Sequence, residues 1–207
     1  MSRLLIAAVL LAASAAGASA AVASDVPLAG TDGHPRDRMP LVLHLASFGD
    51  AGLDAAATKA VDDWNRVARE AIGTAVFNRV AGKAGAAVSV ETVPRDPRGL
   101  MGFAELESGT HGVIALPVRV VVHEPAARGQ TSRETILYQV LAHELGHALG
   151  LPHNTDPRSL MCCIDSSLDF NDAAVRAAYI ESRRRPDVGT AAAQLAAHYQ
   201  KFWRSRP

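Results

Sequence analysis

The chain has 207 residues, 48% of them hydrophobic, and balances 21 basic against 21 acidic side chains. A near-neutral protein presents no global field to nucleic acid, so a nucleic-acid partner is excluded. Arg3, an apolar run over residues 4–13 and small residues up to Ala23 read as a secretory signal peptide over residues 1–23. Its second half is Ala, Ser and Gly, too weakly apolar for a membrane anchor, and no other run is long enough to span a bilayer. A secreted or periplasmic protein is expected, with about 184 residues left as one domain, taken as a monomer.

Residues 24–40 are polar with Gly and Pro and read as a flexible leader. Residues 41–46 read as a strand, and residues 53–72 show helical spacing through Ala56, Ala60, Trp64, Val67 and Ala71. Residues 76–80 and 87–93 are expected strands across a Gly-Lys-Ala-Gly turn. Residues 100–106 are a candidate edge strand, and residues 113–123 a β-branched strand in which Pro117 argues for a bulge or an edge. A helix is expected over residues 133–150. A second follows over 169–182, with Asp169 or Asn171 as N-cap. A tail over 183–207 carries a last helix at 191–203, whose Leu195, Tyr199 and Phe202 share one stripe for packing on the domain body.

The second of these helices, over residues 133–150, bears the densest signal, His143-Glu144-Leu145-Gly146-His147-Ala148-Leu149-Gly150-Leu151-Pro152-His153. Residues four apart lie on one helix face, so His143 and His147 point two imidazoles at one ion. Glu144 projects beside that ion, where a general base would stand. Gly150 tolerates the left-handed conformation that ends a helix, which lets the chain turn and deliver His153. Three nitrogen ligands with an open fourth position describe a catalytic zinc site holding one Zn2+, since structural zinc is usually closed by four protein ligands. The other histidines have no ligand spacing, although His111 and His123 flank one strand and are the remaining pair that could share an ion.

The extended motif followed by Met161 in Ser159-Leu160-Met161 resembles the metzincin metallopeptidases and their Met-turn. Within them the chain is most similar to the matrixins. The run from Val140 to His147, the Trp64 helix behind an early strand, and Leu168-Asp169-Phe170-Asn171-Asp172 before Ala178-Tyr179 carry that resemblance. It implies an α+β fold: a twisted mixed sheet, a backing helix, an active-site helix and C-terminal helices. It also implies a zinc endopeptidase with protein or peptide substrates, Glu144 as base and Met161 packed under the metal. Gln139, four before His143, would give the pocket for the residue after the cut (S1′) a polar floor. The Ala- and Arg-rich, Lys-poor composition suggests a bacterial source. Cys163 stands where astacins and serralysins carry a tyrosine, and no segment between Pro94 and Glu124 resembles the one that binds structural zinc and calcium in matrixins. No cysteine precedes Cys162, so activity without a cysteine-release step is expected.

Cys162 and Cys163 are adjacent and cannot close a long loop. Two buried thiols, a strained vicinal disulfide and an intermolecular bridge all remain open. Two further functions compete with the endopeptidase: an exported zinc-binding interaction or adhesion module, and a zinc hydrolase of non-peptide amides. The intact Glu144 argues against the first, because binding does not need that carboxylate.

Overall fold

A computed structural model describes residue 28, residues 30–164 and residues 167–205. The expected signal peptide and the first residues of the leader lie outside them. The protein is an α+β fold. Its sheet has the order β2-β1-β3-β5-β4, built from β1 (Leu41–Leu45), β2 (Phe77–Val80), β3 (Val88–Val93), β4 (Gly102–Glu105) and β5 (Val118–His123). The β1–β2, β1–β3 and β3–β5 pairs are parallel, and β4 closes one edge antiparallel to β5.

Alternation sorts the two faces of this sheet. Leu43, Val88 and Val118 stand in register, as do Leu45, Val90 and Val120, and this face joins the core. The opposite face carries Arg119, paired with Glu91 and Glu105, and a Lys83–Glu91 pair. One sheet face is therefore dry and the other solvated, and helices are needed only on the dry side.

Helix α1 (Ala51–Ile72) begins two residues earlier than its apolar period suggests, because the Asp50 carboxylate caps the amides of Gly52 and Leu53. It ends at Gly73, whose φ of 79° is left-handed. Leu53, Ala57, Ala60, Val61, Trp64, Val67 and Ala68 bury its inner face. Helix α2 (Arg133–Ala148) packs against both α1 and the β4–β5 hairpin. Helix α3 (Ala173–Arg184) is capped by Asp172, not by Asp169 or Asn171: its carboxylate accepts from the amides of Ala174 and Val175. Helix α4 (Ala192–Arg204) packs on α1 through Leu195, Tyr199 and Phe202. Among the described residues, no helix is long and apolar enough to cross a membrane.

Two expectations need correction. The strand expected over 113–123 is confined to β5: Val113 and Ile114 make only isolated bridges, to Gly33 and Ser108, on the far side of Pro117. The leader is not flexible over residues 30–40. Gly33 donates to Gly112 O and accepts from the Ile114 amide, at 2.9 and 3.0 Å. His34 is fully buried and reaches Ala148 O at 2.9 Å, while Trp203 of α4 donates its indole N–H to His34 O at 3.0 Å. Gly, Pro and charge read as a loop, and a loop it is. It is nevertheless fastened by backbone bonds and one buried ring, features that composition does not report.

Candidate metal centre

Helix α2 is buried from Ile136 through Ala148 on every side, so its rotation and height are set by packing against α1, β4 and β5. Ser132 caps it by accepting from the Thr135 amide at 3.2 Å. In the middle, the Trp64 indole N–H donates to Ala142 O at 2.8 Å, which ties the turn carrying the first histidine to α1.

The end of α2 is a Schellman motif: Gly150 N–H reaches His147 O at 2.7 Å and Leu151 N–H reaches Gly146 O at 3.0 Å. Gly150 is there for two reasons. Its φ is 86°, and a Cβ at this position would collide with the backbone carbonyl of Asp32 in the leader. After this turn the chain returns His153 to the face already occupied by His143 and His147.

The three Nε2 atoms converge at mutual distances of 3.0, 3.1 and 3.2 Å. They are not a hydrogen-bonded ring. His143 Nδ1 donates to Leu160 O and His147 Nδ1 to Leu151 O, each at 2.8 Å, so the neutral rings keep their protons on Nδ1 and present lone pairs at Nε2. Lone pairs facing one another need a cation between them, and this triangle leaves a common point about 2 Å from each nitrogen, the usual zinc–imidazole distance. The carbonyls of Leu160 and Leu151 orient the rings as backbone partners of metal-bound histidines do. Burial, with the neighbouring His147 charge next in weight, holds the His143 pKa well below its ordinary value. His147 is lowered to about 3, again by burial first and His153 second. Both therefore stay neutral and ligand-ready at ordinary pH.

Glu144 is fully buried, and neither carboxylate oxygen has a donor among the described residues. Burial raises its pKa to about 8. A charged side chain left without a partner costs several kcal/mol in a packed interior, on the order of 3–5 when a pair is broken. Its presence beside three converging nitrogens fits a cation and a bound substrate. Gly102 of β4 lies so close that a Cβ there would meet Val140 Cγ1 at 2.7 Å and Glu144 Cγ at 3.2 Å, so a side chain at 102 would crowd the carboxylate.

Met161 is fully buried against α2, where a Cβ on Gly146, the residue before His147, would overlap its sulfur. Gln139, 7% exposed, lines a cavity of about 140 Å³ one helical turn before His143. Cys162 and Cys163 are joined as a vicinal disulfide, one of the three states that the sequence left open. His111 and His123 do not gather: His123 Nδ1 bonds to Pro94 O at 2.8 Å, and His143, His147 and His153 form the one group of potential metal ligands among the described residues.

Several supporting residues carried no signal in the sequence. Leu151 and Leu160 act through backbone carbonyls, which any residue type would supply. Asn154, Ser159, Thr190 and Gln194 brace the loop bearing His153.

Compared with known protein families, residues 46–175 match the family model described as Matrixin, of the M10 peptidases. The match covers well over half of the chain, and the chain belongs to the matrixin family, whose members are zinc-dependent metallopeptidases. No curated protein matches it.

Proposed function

We propose that the chain is an exported zinc endopeptidase that cuts peptide bonds with Glu144 as general base. The observation that carries this reading is the convergence of three Nε2 atoms beside a buried carboxylate that has no partner among the described residues.

His143, His147 and His153 would hold one zinc. When bound, the ion polarises the scissile carbonyl, brings a water toward neutral pKa and, as a cation, favours the ionised form of Glu144. Glu144 accepts a proton from the attacking water on a carboxylate oxygen and passes it to the leaving amine nitrogen. A base whose pKa has been brought near the working pH suits both transfers. The substrate adds as a strand along the outer edge of β4, which ends the sheet. An antiparallel strand there runs from the Glu105 end toward Met101 and passes Glu144 opposite Gly102. Gly102 keeps that passage open.

Export rests on the apolar N-terminal segment of residues 4–13, and N-terminal sequencing of mature protein should begin after Ala20 or Ala23. The decisive test is cleavage of casein or gelatin together with elemental analysis. One zinc per chain is expected in the wild type and in Glu144→Ala, but only the wild type cuts. His147→Ala should lose the metal. Protein that takes up no zinc, or that holds zinc and cuts neither substrate, would defeat the proposal.

A further inference from the structure

We propose that the cavity beside the triad selects an acidic residue, glutamate above all, on the C-terminal side of the scissile bond. The inference rests on the endopeptidase reading and names its specificity.

The cavity measures about 140 Å³; its lining combines apolar Met101 and Ile136 with Tyr179, the neutral polar Thr131 and Gln139, and the cations Arg128 and Arg183. That volume is the size of one side chain, well below the several hundred Å³ of a typical small-molecule pocket. A strand antiparallel to β4 reaches Glu144 opposite Gly102 before it reaches Met101, so the side chain entering here follows the cut bond.

The chemistry of the lining is lopsided. Two arginines face the cavity, and neither forms an ion pair among the described residues. Arg183 donates through Nη2 to Cys162 O at 2.9 Å and lies over the Tyr179 ring at 4.6 Å, which fixes its guanidinium. Its Nε is buried and has no acceptor among the described residues. A buried donor without a partner is rare in a native protein and marks a place where a ligand acceptor belongs. Met101, Ile136 and the Tyr179 face make the walls apolar. A side chain with a hydrocarbon stem and an anionic end satisfies both parts, and glutamate has that form. Lysine meets two like charges. Leucine fills the walls but leaves the guanidinium uncompensated.

The test uses quenched peptides identical except for Glu, Gln, Leu or Lys after the cut, with the cut placed by mass spectrometry. The Glu peptide should exceed its Gln isostere by about tenfold or more in kcat/KM, the scale of a hydrogen bond to a charged group. Arg183→Met should bring that ratio close to one. Arg128→Met, at the exposed rim, should lower it partway, and serves if Arg183→Met fails to fold. Equal cleavage of Glu and Gln peptides, or Leu cleaved best, would overturn the specificity while leaving the peptidase intact. The same peptides, labelled, are titrated against Glu144→Ala protein. Preferred binding of the Glu peptide there supports the pocket even if the wild type cuts nothing, which would instead sink the peptidase reading.

Discussion

His143 and His147 ride on a helix buried on every side, whereas His153 sits in an irregular loop fastened by polar side chains. The helical half is held by apolar contact: from Ile136 to Ala148 every residue of α2 is buried. The loop half depends on bonds brought from distant sequence. Asn154 donates to Ser159 Oγ at 2.8 Å and to Gln194 Oε1 at 2.7 Å, Gln194 donates to Pro152 O, and the Leu160 amide donates to Thr190 Oγ1. Each such bond contributes only about 1 kcal/mol net, so the third ligand is held by several weak fasteners and the first two by one large burial. Changes in volume should damage the first half, and changes in polarity the second.

The joint between the halves is Gly150, and breaking it should have the largest effect. Gly150→Ala must adopt a left-handed conformation and push its methyl into Asp32 O. A loss of about 3–5 kcal/mol is expected, with weaker zinc binding, measured by urea unfolding and zinc titration. A variant within about 1 kcal/mol of wild type would show that the two halves are not rigidly joined.

Acid should act next, through the leader beneath the joint. Burial lowers His34 to about 4, its bond to Ala148 O opposing the shift only in part. Between that value and about 6.5 the unfolded chain binds a proton that the folded chain refuses, so stability is full above pH 6.5 and falls as pH drops toward 4. The loss should approach about 3 kcal/mol across this window. Urea midpoints at pH 7 and pH 5 should differ more for wild type than for His34→Gln.

Asn154→Ala sharpens the contrast from the polar side. Removing both of its donor bonds should cost about 1–3 kcal/mol and weaken zinc binding about tenfold or more, while α2 and its two histidines stay in place. Metal titration with circular dichroism checks both parts, and unchanged affinity would mean that the loop needs no such brace. Met161→Leu should have the smallest effect: a swap of nearly equal volume under the site, costing less than about 1.5 kcal/mol with zinc retained. Loss of zinc from that variant would show that the sulfur does more than pack.

How far the sequence disclosed this division follows the same line. The gathering of His143, His147 and His153 at one point was legible because helix period and a glycine stop are local properties. The order of strands and helices was legible for the same reason, to within a residue or two at most ends. What stayed hidden depends on contacts between remote segments. The Asp50 cap starts α1 through Gly52, a residue that reads as a loop. The bonds of residues 30–40 to Ala148 and Trp203 leave no periodic trace. Arg183 is one of three consecutive arginines, Arg183-Arg184-Arg185, yet it turns inward to Cys162 O. Only a tertiary partner separates it from its two neighbours.

The inner position of β1 bears on where this protein can be cut. The family match begins at residue 46, just after β1, and stops at 175, inside α3. A fragment trimmed to those limits would lack the strand that joins β2 to β3, leaving two raw edges open to pairing with other chains. It would also lack Thr190 and Gln194, and with them part of the scaffold of His153. A piece expected to keep the sheet and the His153 scaffold together therefore includes the Gly33 pairing at one end and α4 to Arg204 at the other, well past both limits of the family match.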